Sequence, residues 1–243
     1  MNPTKITIVL VTGAWHKPEL YSSLTEGLKQ LKYKVIAPAL LSVGGSQDTF
    51  DEDVQLIRKI IEDEVTSGQD VVVLMHSYGG MVGGAAVKRL SKKEVQTGGG
   101  VVRMIYMTAF ALDEGVTLMD SINNVPLPWM ESANDKQWKC IDSPNIFYND
   151  VDPAIASKIT EQLLPHAKGA FESKQTYAAW KHIDSTYIIC EIDNAIPKAA
   201  QQQMAFHPEG KIQTEYLKAG HSPFLSMPEE TVEIIRKAID TSR

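Results

Sequence analysis

The strongest constraint on the fold is an alternation of short apolar runs, rich in β-branched residues, with longer segments of helical pattern. This alternation is typical of a parallel sheet with helices packed on both faces. The apolar runs predict six strands, at residues 5–12, 34–40, 71–76, 101–108, 185–192 and 211–217. Helices are predicted near residues 18–31, 50–66, 78–91, 196–206 and 228–240. The sequence therefore predicts an α/β fold with a mainly parallel six-stranded sheet.

One interval breaks this rhythm. About 75 residues separate the fourth predicted strand, VVRMIYMTAF, from the fifth, STYIICEI, which is too long for an ordinary crossover. The interval contains five prolines and a helical pattern at 152–164, which favour an ordered insertion over a disordered linker. We therefore predict a core made of residues 1–111 and 184–243, with residues 112–183 inserted after the fourth core strand as a small helical cap, or lid.

Composition argues against several classes of function. Thirty acidic residues against 24 basic ones give a net charge of −6, which disfavours a nucleic-acid partner. Cys140 and Cys190 are too few for a disulfide framework and indicate reduced thiols. No stretch reaches the roughly 18 apolar residues of a membrane span, so a soluble, cytoplasmic protein is predicted. His166, His182 and His207 lack metal-ligand spacing, and we expect no metal or other cofactor.

The segment VVVLMHSYGGMVGG, residues 71–84, carries the clearest chemical signal. An apolar strand leads to Ser77, and Gly79 and Gly80 follow where a tight strand-to-helix turn needs residues without side chains. A serine at such a turn projects from the carboxyl edge of the sheet, where ligands bind in open α/β sheets. The pattern resembles the G-x-S-x-G nucleophile elbow, except that Met75 stands at the first glycine. Taken alone, the motif does not exclude a serine that lies in a glycine-rich turn by chance and has no catalytic role.

The rest of the chain offers the base and the acid that a nucleophilic serine requires. His221 lies in AGHSPFLSMPEE, between the last predicted strand and the last predicted helix. Asp193 follows the fifth strand in STYIICEIDNAIP, which gives the order serine, acid, histidine that accompanies a nucleophile elbow. Glu191 on the same strand and Asp113 after the fourth strand remain alternative acids. His76, beside the serine, is interpreted as packed beneath the elbow rather than as a second base.

An oxyanion hole is predicted between the loop after the first strand and the elbow. The segment ITIVLVTGAWH supplies this loop, and we assign the donors to the backbone N–H groups of Ala14 and Tyr78. Gly13 would let the backbone approach the substrate oxygen closely. His16 either lines the pocket or holds the loop in place, and Trp129 in VPLPWM is the preferred aromatic residue for the pocket wall. Gly13, His16 and Trp129 are thus the candidate substrate-binding residues.

Together these motifs resemble the α/β-hydrolase superfamily over nearly the whole chain. VTGAWHKPELY, VVVLMHSYGG, STYIICEIDNAIP and AGHSPFLSMPEE are similar to the group that includes plant methylesterases and hydroxynitrile lyases. The chain most closely resembles fungal and bacterial α/β-hydrolases of about 240 residues. The resemblance implies Ser77 as nucleophile, His221 as base and Asp193 as acid. Thr12 replaces the usual histidine of this family and Met75 the usual glycine, but neither change removes a reacting group.

The predicted activity is hydrolysis of a carboxylic ester or lactone of a small, largely apolar substrate, through an acyl-enzyme. Hydroxynitrile lyases resemble this scaffold, but they carry a lysine after the catalytic histidine and a threonine in the oxyanion loop. This chain has Ser222 and Gly13 at those places, which favours hydrolysis. Carbon–carbon bond hydrolysis or cyclisation remains open, as does a hydrolase-fold ligand receptor with little turnover. The sequence also leaves a homodimer open.

Overall fold

A computed structural model describes residues 5–45, 50–96, 98–210 and 212–241. Lys211, predicted as the start of the last strand, and the two ends of the predicted core lie outside these ranges. The described strands are β1 (Ile6–Val11), β2 (Lys34–Ile36), β3 (Asp70–Ser77), β4 (Gly100–Ala109), β5 (Met130–Asn134), β6 (Gln137–Cys140), β7 (His166–Ala167), β8 (Ser185–Cys190) and β9 (Ile212–Leu217).

The described α-helices are α1 (Ser22–Gln30), α2 (Asp51–Thr66), α3 (Gly79–Ala86), α4 (Leu118–Ser121), α5 (Ser143–Phe147), α6 (Pro153–Thr160), α7 (Lys168–Glu172), α8 (Lys198–Ala205), α9 (Pro223–Ser226) and α10 (Pro228–Asp240). Two 3₁₀ helices span Pro18–Tyr21 and Ala179–Lys181. None of the helices in the described ranges is both long enough and apolar enough to cross a membrane.

The central sheet has six strands in the order β2-β1-β3-β4-β8-β9. Each neighbouring pair is parallel, as the apolar composition of the strands predicts. Every residue of β1 is buried, and so is every residue of β3 after Asp70. The strand order reverses between β1 and β3, so the loops that follow these two strands diverge and leave a crevice at their carboxyl ends. The fold therefore places a crevice beside Val11 and Ser77.

Strand β2 and helix α3 are among the elements that are shorter than the sequence pattern predicts. Strand β2 ends at Ile36 rather than at residue 40, because it is an edge strand and Pro38 has no N–H to continue the ladder. Helix α3 ends at Ala86 rather than at residue 91. Arg89 has a φ of 63°, which is incompatible with a right-handed helix.

The segment between β4 and β8 contains a small antiparallel sheet, β5-β6-β7, as well as helices α4 to α7. The sequence predicted only helices here. Four of the five residues of β5, MESAN, are exposed, so this strand lacks the apolar alternation by which strands are recognised. The two helix pairs α1–α10 and α2–α3 pack around the central sheet.

Candidate active site

The turn between β3 and α3 holds Ser77 in an unusual backbone conformation. Ser77 has a φ of 53°, in the left-handed region that non-glycine residues rarely adopt. A side chain at Gly79 would collide with the carbonyl oxygen of Val11, and one at Gly80 with that of Phe110. The sharp turn at the end of the strand therefore requires glycine at both positions. Such strain is typical of a nucleophile elbow, which exposes its serine above the sheet.

Met75 fits beneath this turn because helix α3 has a glycine opposite it. A Cβ atom at Gly83 would lie 2.6 Å from both Cγ and Sδ of Met75, which is fully buried. The flexible methionine side chain thus occupies the space that a larger residue at position 83 would need. Packing against Gly83 therefore accommodates the departure from the G-x-S-x-G pattern, and the Met75 side chain does not occupy the space of Ser77.

His221 and Asp193 form a buried hydrogen-bonded pair. His221 Nδ1 lies 2.8 Å from Asp193 Oδ2, and the two residues are only 1% and 6% exposed. Asp193 Oδ2 also accepts from Thr108 Oγ1 at 2.5 Å, while its Oδ1 accepts from the N–H groups of Ala195 and Ile196. A carboxylate can only accept, so the ring proton is on Nδ1 and Nε2 is free to act as a base.

The two alternative acids are paired elsewhere. Asp113 Oδ1 lies 2.8 Å from Lys181 Nζ, and Glu191 Oε1 lies 2.5 Å from Lys198 Nζ. Of the three candidate carboxylates, the one bonded to His221 is therefore Asp193.

The two residues of the predicted oxyanion hole lie at the same cavity as the serine. Ala14, Ser77, Tyr78 and His221 all line one cavity. In the part of the chain that the structure describes, neither the Ala14 N–H nor the Tyr78 N–H donates to a protein acceptor. These two N–H groups, one in the loop after β1 and one directly after Ser77, have no protein acceptor among the described residues and are suited to stabilise a developing negative charge.

Gly13 and His16 support this loop from behind. A Cβ atom at Gly13 would lie 2.9 Å from His76 Nδ1 and 3.0 Å from Ser77 Cβ, so only glycine allows the loop to approach the elbow. His16 Nδ1 donates to Ala14 O at 2.6 Å, and its Nε2 accepts from Tyr148 Oη at 2.8 Å. Burial lowers the pKa of His16 to about 4, so it is neutral at physiological pH. Among the described residues, neither Gly13 nor His16 lines the cavity.

His76 lies beneath the elbow and links the 3₁₀ helix Pro18–Tyr21 to the loop that carries His221. The Gly13 N–H donates to Tyr21 Oη at 2.9 Å, and Tyr21 Oη in turn donates to His76 Nδ1 at 2.7 Å. Nδ1 is thereby an acceptor, so Nε2 carries the proton that is donated to the backbone oxygen of His221 at 2.8 Å. Burial, together with the nearby His221 and His16, holds the pKa of His76 well below its usual value. We call this path the Tyr21–His76 chain.

Sequence reasoning missed several polar residues that hold the site. Tyr21 and Thr108 lie in segments with the pattern of buried core, so nothing local marks them as partners of a histidine and a carboxylate. Asp53 is also fully buried, although it lies in the first turn of α2. It accepts from the Leu41 N–H at 2.6 Å and from Tyr78 Oη at 3.1 Å, and burial raises its pKa. Such long-range pairs carry no sequence signal.

The cavity beside Ser77 measures about 460 Å³ and has mostly apolar walls. Trp129, the predicted wall residue, does line it. Trp15 lies at the centre of an aromatic cluster in the wall, with ring centroids 5.7 Å from Trp129, 5.6 Å from Phe147 and 5.4 Å from Phe171. The cavity can therefore take a small, largely apolar molecule next to the serine.

Comparison with known proteins identifies the family. The Alpha/beta hydrolase family matches residues 8–234. The chain belongs to this family. "Alpha/beta hydrolase nvfD" of Aspergillus novofumigatus is 36% identical over 241 residues, covering 96% of each chain. "Methylesterase 10" of Arabidopsis thaliana is 24% identical, covering 94% of this chain and 90% of its own.

Solved structures agree with the fold. A pyrethroid hydrolase from Sphingobium faniae JZ-2 superimposes with a TM-score of 0.76 at 22% identity, covering 97% of this chain and 98% of its own. At that identity the likeness concerns the fold alone. The family and the α/β-hydrolase fold predicted from the sequence are thus confirmed, and the named relatives include esterases.

Proposed function

We propose that this protein is a serine hydrolase that cleaves a carboxylic ester or lactone of a small, largely apolar substrate. The observation that carries the proposal is the pairing of His221 with Asp193 at 2.8 Å, beside a cavity that Ser77 also lines. The esterases among the relatives support ester hydrolysis, since one is named a methylesterase and another a carbendazim hydrolyzing esterase.

In the proposed mechanism, Ser77 Oγ attacks the substrate carbonyl while His221 Nε2 takes the serine proton. Asp193 holds the ring in the required tautomer and stabilises the positive charge that forms on it. The N–H groups of Ala14 and Tyr78 bind the oxyanion of the tetrahedral intermediate. His221 then returns the proton to the leaving alcohol, which gives the acyl-enzyme. Water cleaves the acyl-enzyme by the same steps, with His221 as base.

Residues 112–183 are proposed to act as the cap of this site. Trp129, Phe147 and Phe171 from this segment and Trp15 from the oxyanion loop all line the cavity. Contact with these rings would stabilise an apolar substrate through burial of its surface. We therefore assign substrate binding chiefly to the cap, with Trp129 as a direct contact. Gly13 and His16 are assigned to holding the oxyanion loop.

Substitution of Ser77 tests the proposal. Ser77→Ala should lower the turnover of p-nitrophenyl acyl esters by a factor on the order of 10⁶, because the proposed acyl-enzyme forms on the Ser77 hydroxyl. It should also abolish labelling by a fluorophosphonate. As a control, Ser67→Ala changes a serine at the end of α2 and should retain both. Hydrolysis and labelling that persist in Ser77→Ala would exclude Ser77 as the nucleophile.

The same assay separates an enzyme from a receptor built on this fold. A receptor would bind the ester and shift the melting temperature without steady-state release of p-nitrophenol. Wild-type protein that binds in this way without turnover would contradict the proposed hydrolase activity.

A further inference from the structure

The cavity has a second polar region away from the triad, where Asp113 and His207 line its wall. Asp113 belongs to the loop after β4, and His207 follows the end of α8. The first residue of this loop lies beside the nucleophile, because the Phe110 N–H donates to Ser77 O at 3.1 Å. Asp113 is three residues further on, so its Cα lies at most about 11 Å from that of Phe110. A small substrate attached at Ser77 can therefore reach it.

One oxygen of Asp113 and one nitrogen of His207 face each other without a direct hydrogen bond. His207 Nε2 lies 3.7 Å from Asp113 Oδ2, which exceeds hydrogen-bond length. The other carboxylate oxygen, Oδ1, is held by Lys181 Nζ at 2.8 Å. One hydroxyl oxygen beside the pair can lie about 2.8 Å from each of the two atoms at this separation, so a single hydroxyl group can bridge them.

Contacts on both sides fix the ring of His207 in the orientation that a bridging hydroxyl group requires. The Glu209 N–H donates to His207 Nδ1 at 3.4 Å, which makes Nδ1 an acceptor and assigns the proton to Nε2. The His207 ring also lies 4.4 Å from the ring of Trp180, whose Nε1 donates to Leu112 O at 3.2 Å. The pair thus offers one donor, His207 Nε2–H, and one acceptor, Asp113 Oδ2.

We propose that Asp113 and His207 form a subsite for an alcoholic or phenolic hydroxyl of the substrate. The hydroxyl donates to Asp113 Oδ2 and accepts from His207 Nε2–H. An anionic group is disfavoured because Asp113 and Glu209 share a single cation, Lys181, which leaves the cluster with a net negative charge. A cationic group is disfavoured because it would lose its hydration in a cavity with mostly apolar walls. The substrate class is therefore an apolar ester or lactone that carries a neutral hydroxyl away from the reacting carbonyl. This inference rests on the proposed ester hydrolysis at Ser77.

The test uses pairs of p-nitrophenyl esters that differ only in a hydroxyl group at varied distances along the acyl part, together with aryl esters that carry it on the alcohol part. Wild-type protein should have a kcat/KM about 5-fold higher for the hydroxylated member of the best pair, as one well-placed hydrogen-bonded group provides. Asp113→Ala removes the acceptor, and His207→Phe removes the donor but keeps a ring against Trp180. Each substitution should reduce the ratio of the two kcat/KM values to about one, mainly through KM.

The control is His182→Phe, which replaces another histidine that is packed against Tyr177 outside the cavity wall and should keep the wild-type ratio. A wild-type ratio of one for all pairs, or a ratio that both substitutions leave unchanged, would overturn the subsite while ester hydrolysis at Ser77 stands. Wild-type protein that hydrolyses neither member of any pair would overturn the proposed function, and the subsite with it.

Discussion

The carboxyl edge of the central sheet and the wall of the cavity are held together by different forces. At the edge, Asp193, His221 and His76 are buried polar groups, and directional hydrogen bonds fix each of them. The wall is largely apolar, and Trp15 and Phe147 contact through their rings. A buried hydrogen bond needs a particular atom at a particular place, whereas apolar packing tolerates exchange of side chains of similar volume. Substitutions at the edge should therefore change turnover, and those in the wall should change substrate preference.

The largest expected effect within this comparison comes from the acid. Asp193→Asn should lower kcat by about 10⁴-fold, because the asparagine amide would donate toward His221 Nδ1 and favour the wrong tautomer of the ring. The shape of the side chain is kept, so Oδ1 can still accept from the N–H groups of Ala195 and Ile196. Steady-state hydrolysis of a p-nitrophenyl ester measures the loss, and circular dichroism confirms that the variant folds.

Glu191→Gln is the matched control for this prediction. Glu191 is another acid near the end of β8, but its carboxylate is paired with Lys198 at 2.5 Å. We expect its kcat to equal that of the wild type. A loss of less than tenfold in Asp193→Asn, or a large loss in Glu191→Gln, would mean that the acid has been assigned incorrectly.

The same contrast explains how much of the molecule could be predicted from its sequence. Ser77, Asp193 and His221 each come just after a predicted strand, and the carboxyl ends of parallel strands share one edge. The sequence could therefore predict that these residues lie close together. The motif and the chain order together favoured Asp193 over Asp113, and the hydrogen bond to His221 agrees with that choice.

The polar partners behind these residues could not be predicted, because they come from distant parts of the chain. Tyr21 and His76 are 55 positions apart, and Thr108 and Asp193 are 85 apart. A buried tyrosine or threonine has the same sequence pattern as any other core residue. The sheet of the cap was missed for a related reason, since the exposed polar residues of β5 have no period to recognise.

A smaller effect is expected from the Tyr21–His76 chain. Tyr21→Phe leaves the Gly13 N–H and His76 Nδ1 without their partner, which should loosen the oxyanion loop and the His221 loop together. Because the hydroxyl lies behind these loops, we expect kcat to fall about tenfold while KM stays within about twofold, as the loss of one buried hydrogen-bonded group suggests. Steady-state kinetics on a p-nitrophenyl ester separates the two constants.

Tyr106→Phe provides a buried control for Tyr21→Phe. Tyr106 is 1% exposed and its hydroxyl is hydrogen-bonded to the backbone of Trp180, away from the triad. Both variants should lower the melting temperature, but only Tyr21→Phe should lower kcat. Equal kcat values in the two variants would mean that the Tyr21–His76 chain contributes to stability but not to turnover.

The smallest effect on activity is expected at Met75, although it directly precedes His76 in the chain. Met75→Gly removes no reacting group, so kcat should stay within about threefold of wild type, while the lost buried side chain should lower the free energy of unfolding by roughly 2–5 kcal/mol. Chemical denaturation and ester hydrolysis measure the two quantities on the same preparation.

Gly83→Ala sharpens this prediction, because its Cβ would lie 2.6 Å from Cγ and Sδ of Met75. Alone it should destabilise the protein by overpacking, but in the Met75→Gly background the space is open and the added methyl group should restore part of the stability. A double-mutant cycle on the free energy of unfolding should therefore give a favourable coupling of about 1 kcal/mol or more. Additive effects would mean that Met75 and Gly83 do not share this space. A tenfold loss of kcat in Met75→Gly would mean that this packing helps to fix Ser77. Met75 would then belong with the residues at the carboxyl edge of the sheet, whose substitution changes turnover.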